Sequence, residues 1–174
     1  YDKEEKRIVG GKNGFGFKLV LIWSTVGHIE TVDHVRGLKY TQSFLQNLDT
    51  ICPPEITKVK GAKPYTKVTF KPDYARFGID GLTPDIISLL KKRAYDICAV
   101  TDQSEKKIKF NYNGAPIPVK NFQQYIDMYI GPKDGADANK RIYESADGRW
   151  EYAVALTPTN EFLQVSFVNG IYTS

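Results

Sequence analysis

The chain has 174 residues, of which 41% are hydrophobic, 25% charged and 13% aromatic, the composition of a globular protein and not of a disordered tail. The longest uninterrupted apolar run, Leu19 to Trp23, is far shorter than the roughly 20 residues of a membrane-spanning helix, so no membrane segment and no membrane partner are expected. Twenty-four Lys and Arg against 20 Asp and Glu leave a net charge of +4, an excess that solubility explains about as well as nucleic-acid binding does.

The chain opens on charged residues, Tyr1-Asp2-Lys3-Glu4-Glu5-Lys6-Arg7, with no hydrophobic signal region behind them, so nothing argues for secretion. It begins without Met and stops at Ser174 directly after strand-like sequence, and so reads as an excerpt from a longer protein. Cys52 and Cys98 lack the clustered spacing of a disulfide framework or a zinc site and are expected to be buried, reduced thiols.

In chain order, Gly10-Gly11-Lys12-Asn13-Gly14-Phe15-Gly16 packs four glycines into seven residues before Phe17 to Trp23 turns apolar. The pattern predicts a glycine-rich loop feeding a helix. Alternating β-branched and aromatic residues from His28 to Val32 and from Gly37 to Leu45 predict two strands joined by a turn at Arg36-Gly37. A third strand is expected at Tyr65 to Phe70, with Thr66, Val68 and Phe70 on one face, and loops at Cys52-Pro53-Pro54 and Lys60 to Pro64. The strongest helix signal runs from Leu82 to about Val100, with Thr83 as cap, Pro84 in the first turn and Asp85 at the positive end of the dipole. Its spacing puts Ile86, Leu89, Leu90, Ala94, Ile97 and Cys98 inward and Lys91, Lys92 and Asp96 outward, as an amphipathic helix covering a sheet. A strand and Asn113-Gly114 turn are expected from Ile108, and a helix over Phe122 to Tyr129. Three strand-like segments follow: Arg141 to Glu144, Arg149 to Thr157 and Phe162 to Tyr172. The composition changes near Pro116 to Asn121, which marks the expected boundary between two α/β modules with their layers packed face to face, the second of them incomplete.

Glycines let backbone N–H groups turn toward a ligand, and a following helix adds unpaired amides and a positive dipole, so the loop suits phosphate. Lys18 can add a charge-assisted contact. A Walker A loop is excluded, because Phe17 follows Gly16 and no Ser or Thr follows Lys18. The dinucleotide fingerprint also fails, lacking its third glycine and a preceding strand. The residues alone leave phosphate binding and a purely structural turn both open.

The segment Gly10-Gly11-Lys12-Asn13-Gly14-Phe15-Gly16-Phe17-Lys18-Leu19 closely resembles the nucleotide-binding loop of the ATPase region of eukaryotic-type DNA topoisomerase II, usually GGRNGYGAKL. The resemblance extends in family order along essentially the whole chain. Asp2 to Arg7 looks like the charged stretch before that loop. Phe70-Lys71-Pro72-Asp73 with Phe77 resembles the FxPDxxxF segment, and Arg93-Ala94-Tyr95-Asp96 the RAYD helix. Arg149-Trp150-Glu151 and Val165-Ser166-Phe167-Val168-Asn169 resemble the RWE and SFVN strands.

The resemblance implies an α/β (α+β) chain: a GHKL-type ATPase sandwich, with a mixed sheet and helices on one face, followed by the start of an α+β transducer domain. Residues 1–119 would be the C-terminal half of the ATP-binding domain and 120–174 the N-terminal part of the transducer. It implies ATP wrapped by Gly11 to Lys18, with the amides of Gly14, Gly16 and Phe17 as phosphate donors, Lys18 supplying charge, and Lys12, Asn13 and Phe15 completing the loop. It also implies double-stranded DNA as substrate, a homodimer closing through the ATPase gate, and location inside the cell: the nucleus for a cellular member, host cytoplasm or nucleus for one encoded by a large DNA virus. No catalytic residue and no metal ligand are expected within the chain. The general-base Glu and the Asn that holds Mg²⁺ would lie upstream of Tyr1, and the γ-phosphate lysine downstream of Ser174. Phe17 stands where Ala is usual, Phe15 replaces Tyr, and Asn169-Gly170-Ile171-Tyr172 departs from NSIAT, read as variation within a transducer strand.

Other functional readings are weaker. Asp2, Glu4 and Glu5 fit a solvated face better than a catalytic base. His28 and His34 have no carboxylate or Cys cluster beside them and read as ordinary polar residues. Tyr112, Tyr125, Tyr129 and Trp150 could stack on bases, but their spacing favours packing, and Lys91-Lys92-Arg93 and Lys106-Lys107 are short enough to be solvated faces. The competing functions are a DNA-binding or dimer-interface module with a structural glycine loop, and another GHKL ATPase such as a chaperone or mismatch-repair protein. The RAYD and SFVN matches speak against the last.

Overall fold

A computed structural model describes residues 10–11, 13–103, 107–136, 138–157 and 159–173. They fall into two compact units, one of residues 11–82 and one of residue 10 with residues 83–173.

The first unit begins with helix α1 (Phe15–Ile22), which leads through Trp23 into strand β1 (Ser24–Asp33). A turn whose amides at Val35 and Arg36 donate to the Asp33 carboxylate reverses the chain into β2 (Leu38–Leu45). Two short strands that the sequence pattern did not signal, β3 (Thr50–Ile51) and β4 (Glu55–Lys58), flank the expected Cys52-Pro53-Pro54 loop and pair with β2. β5 (Tyr65–Pro72) returns along the other edge of β1. The sheet runs β3-β2-β1-β5 with β4 also on β2, and every pair is antiparallel. Val32 and Leu21 are its buried apolar side chains. Gly27 is buried because Leu21 occupies the space a Cβ would fill, so this glycine lets α1 lie against β1.

Between β2 and β3 the chain makes an unusual turn. Gln46, Asn47 and Leu48 all have left-handed backbones, with φ of 52°, 61° and 71°, and the Asp49 amide closes the turn on the Gln46 carbonyl at 3.0 Å. Each such non-glycine residue costs about 1–2 kcal/mol, so three in succession need tertiary contacts to hold them.

The second unit is organised by α2 (Pro84–Val100), whose Thr83 hydroxyl accepts from the Ile86 amide at 3.3 Å. A hairpin of β6 (Asn111–Tyr112) and β7 (Ala115–Pro116) turns through Asn113-Gly114, both at positive φ as the tight two-residue turn requires. Helix α3 (Phe122–Ile130), capped by Asn121, follows. Then come the hairpin of β8 (Arg141–Ala146) and β9 (Trp150–Ala155) and the short hairpin of β10 (Ser166–Val168) and β11 (Ile171–Thr173). The core joins Cys98 and Ala99 of α2, Ile117, Val119 and Tyr125 of α3.

Three expectations need correction. The segment from Phe162 to Tyr172 is not one strand, because Asn169-Gly170 forms a left-handed two-residue turn that folds it into β10 and β11. The inward face of α2 keeps the expected Cys98 and Ala94 but also takes in Asp96, 4% exposed, while Leu89, Leu90 and Ile97 are about half exposed. Apolar periodicity set the expected face, but a hydrogen bond from Tyr125 across to Asp96 sets the real one. Cys98 is fully buried, as expected, whereas Cys52 is only half-buried in its proline loop; both thiols are free.

Candidate functional site

The glycine loop enters α1 through Gly14, whose backbone is left-handed at φ 67°, ψ 12°. A left-handed residue followed by right-handed helical ones turns successive N–H groups toward the same point, which is the geometry of an anion cradle. No side chain caps the first turn of α1, and no acidic residue stands there to offset the positive end of its dipole. Cβ atoms built on Gly11, Gly14 or Gly16 would meet nothing within 4 Å, so one side of the loop is open.

Of the expected site residues, Gly11, Asn13, Gly14, Phe15, Gly16, Phe17 and Lys18 lie on this exposed loop and first helical turn. Lys12 lies outside the described residues. The Lys18 ammonium sits over the Phe15 ring, 5.7 Å from its centroid, within reach of a cation–π contact. Phe17 is 40% exposed.

The other end of α1 is tied down. The Ile22 carbonyl accepts from Asn47 Nδ2 at 2.9 Å and from the Arg76 guanidinium at 3.2 Å. Asp73 donates its amide to the Trp23 carbonyl at 2.9 Å, while its carboxylate accepts from Asn47 Nδ2 at 3.2 Å and from the Arg76 amide at 3.2 Å. Arg76 lies over the Trp23 ring, which also packs against Phe77 at 4.9 Å between centroids. Phe70 to Phe77, noted in the sequence as a motif without a role, therefore fastens the C-terminal end of α1. Asn47 was missed by the sequence reading. Its only signal was an Asn in a polar cluster after a strand, the residue type that tolerates a left-handed backbone.

A second polar cluster lies in the other unit. Asp96 accepts from Tyr125 Oη at 2.6 Å, from Lys92 Nζ at 2.9 Å to both oxygens, and from Arg93 at 3.2 Å. Lys92 and Arg93 both lie over the Tyr172 ring, at 4.3 and 4.8 Å. Burial, then the bonds to Asp96 and Tyr129, push the Tyr125 phenol well above the ordinary tyrosine range. Burial likewise raises the Cys98 thiol, whose Sγ donates to the Ala94 carbonyl at 3.1 Å. Among the described residues no buried side-chain polar atom of this cluster lacks a partner, which suits a structural joint and not a ligand site.

His28 bonds Ser43 through Nδ1 at 2.9 Å, and His34 is exposed in the β1–β2 turn. Tyr125 packs in the core, as expected, and Tyr129 packs against it with ring centroids 5.2 Å apart, but Trp150 is 70% exposed, so packing does not account for it within the described residues. Asp2, Glu4, Glu5 and Lys106 lie outside the described residues. Among the described residues no three His, Cys, Asp or Glu side chains group as a metal site would need. The glycine loop offers amides and a lysine, which bind anions, and so it does not fit a Mg²⁺ ligand set. Among the described residues no helix is long and apolar enough to cross a membrane.

No family model matches the chain. Comparison with curated proteins aligns 100% of it with DNA topoisomerase 2 of Candida glabrata, 38% identical over 187 residues. The same protein of Arabidopsis thaliana is 41% identical over 176 residues, covering 99% of the chain. The chain belongs to the DNA topoisomerase II family. It spans 13% and 12% of the length of those two relatives. Among solved structures it is similar to the ATPase region of Saccharomyces cerevisiae topoisomerase II, at a TM-score of 0.84 and 40% identity, covering 99% of this chain and 43% of that one. It is also similar to the ATPase and transducer domains of DNA topoisomerase II from Balamuthia mandrillaris, at a TM-score of 0.85 and 32% identity, covering 99% and 42%. The fold class is the α/β one expected, with antiparallel sheets and few helices, and the chain corresponds to the ATPase region of the family.

Proposed function

We propose that this chain is the ATP-gate portion of a type II DNA topoisomerase, which passes one DNA duplex through a transient double-strand break in another. The observation that carries the reading is the uncapped, left-handed entry into α1 beside Lys18, in a chain that aligns over its whole length with topoisomerase II ATPase regions. In this reading Gly11, Lys12, Asn13, Gly14, Phe15, Gly16, Phe17 and Lys18 form the cradle. The amides of Gly14, Gly16 and Phe17 donate to phosphate oxygens, which also find the helix dipole favourable. Lys18 adds a positive charge.

Residues 1–119 act as the C-terminal half of the ATP-binding domain and 120–174 as the start of the transducer. The chain works within a longer polypeptide that forms a homodimer, acts on double-stranded DNA and resides in the nucleus, or in host cytoplasm or nucleus for a viral member. None of the described residues is assigned as general base or Mg²⁺ ligand, so the isolated chain is expected to be inactive in hydrolysis.

The test is Lys18→Ala in the full-length protein. ATP-dependent strand passage is expected to be lost while nucleotide-independent DNA binding survives. Unchanged ATP turnover would remove Lys18 from the site. Salt-dependent duplex binding by the chain alone, with no nucleotide effect in the longer protein, would favour a DNA-binding module with a structural loop.

A further inference from the structure

The two ends of α1 are held very differently. No side chain caps its N-terminal turn, whereas three contacts converge on the carbonyls where it ends: Asn47 Nδ2 and the Arg76 guanidinium on Ile22, and the Asp73 amide on the following Trp23. Asn47 is the centre of this clamp, because the same amide nitrogen also donates to Asp73, whose carboxylate in turn accepts from the Arg76 amide. It occupies the middle of three consecutive left-handed residues, a conformation that nothing local in Gln46-Asn47-Leu48 favours strongly. The turn is kept in order to bring one side-chain amide to the end of one helix.

A helix of eight residues is about 12 Å long and moves as a rigid rod, so its fixed end determines where its free end points. Arg76 adds a positive charge at the negative end of the dipole, which no residue of the last turn of α1 supplies.

We propose that Asn47 is a positioning residue for the nucleotide site: by holding the Ile22 carbonyl it sets the axis of α1, and hence the aim of the amides at Gly14, Gly16 and Phe17. This rests on the reading of the glycine loop as a phosphate cradle. Asn47 touches no substrate, and its effect is on affinity through geometry.

The experiment compares Asn47→Gly and Arg76→Met with the unaltered full-length protein. Glycine suits a φ of 61° and removes the side chain while leaving the left-handed turn available, so it separates the hydrogen bonds from the turn itself. Asn47→Gly is expected to bind the non-hydrolysable analogue adenylyl-imidodiphosphate about tenfold more weakly. KM for ATP should rise in parallel, kcat at saturation should stay within about twofold, and the amides of the last turn of α1 should exchange faster with solvent. Arg76→Met, at an exposed side chain, is expected to weaken binding about threefold, and it carries the test if the glycine variant melts at a much lower temperature. Wild-type affinity and unchanged exchange in both variants would overturn the role of Asn47 while leaving the cradle intact. Failure of the unaltered protein to bind the analogue would overturn the cradle itself, and the positioning role with it.

Discussion

Helix α1 and helix α2 both carry a family-like motif, yet they spend their polar groups in opposite ways. At the start of α1, no side chain caps the first helical turn, a lysine lies on the surface and there is space on one side of the chain. At the end of α2, Asp96 is 4% exposed and bonded to three different side chains. Unsatisfied polar groups that face solvent are available to a ligand; satisfied polar groups in a core fix packing. The motif containing Gly14 is therefore a candidate for binding, and the one containing Asp96 joins α2 to α3.

Substitutions can break that contrast or sharpen it. The largest effect on stability is expected from Asp96→Ala, about 2 kcal/mol, because it removes the buried acceptor of the Tyr125 hydroxyl, which keeps only Tyr129, and the carboxylate shared by Lys92 and Arg93. Urea unfolding measures it, and a loss under 1 kcal/mol would mean the cluster is not a joint. Lys18→Ala should do the reverse, lowering nucleotide affinity by about 10–100-fold while shifting the urea midpoint within the range of an ordinary surface change. A large fall in stability from Lys18→Ala would erase the distinction.

Tyr125→Phe is expected to cost about 1–1.5 kcal/mol, since Asp96 keeps Lys92 and Arg93. It also has a pH signature. The phenol of Tyr125 is raised in the folded state, mainly by burial, so its contribution is fully present below the unfolded tyrosine value of about 10 and is lost as pH rises beyond it. Alkaline unfolding above that pH should be shallower in Tyr125→Phe than in the unaltered chain. The smallest effect is expected at Gly14→Ala, about 1 kcal/mol, from placing a Cβ on a left-handed backbone with open space around it. A neutral result in thermal melting would mean that the loop relaxes to another conformation.

Much of the fold could be read from local pattern. Thr83-Pro84-Asp85 announced α2, Asn113-Gly114 the β6–β7 turn, and the alternation around Val32 and Val68 the strands β1 and β5. These signals are local because capping, turn chemistry and side-chain alternation act over a few residues. β3 and β4 escaped because strands of two and four residues are too short for a period to register. The hairpin at Asn169-Gly170 carried its turn signal in plain view, but comparison with NSIAT favoured a continuous strand. Asp96 was turned outward because a charged residue at an apolar-helix position reads as surface until its partner is known.

The candidate site divides along the same line. Composition and spacing alone determined that the glycine-rich segment opens a helix, that it lacks the marks of the two commonest phosphate loops, and that Lys18 stands beside it. Only the tertiary structure decided that Asn47, Asp73 and Arg76, separated in sequence from Ile22 by 25 to 54 positions, meet at the far end of that helix. A side-chain amide aimed at a backbone carbonyl leaves no periodic trace in a sequence, because its geometry is set by the folded sheet that carries both.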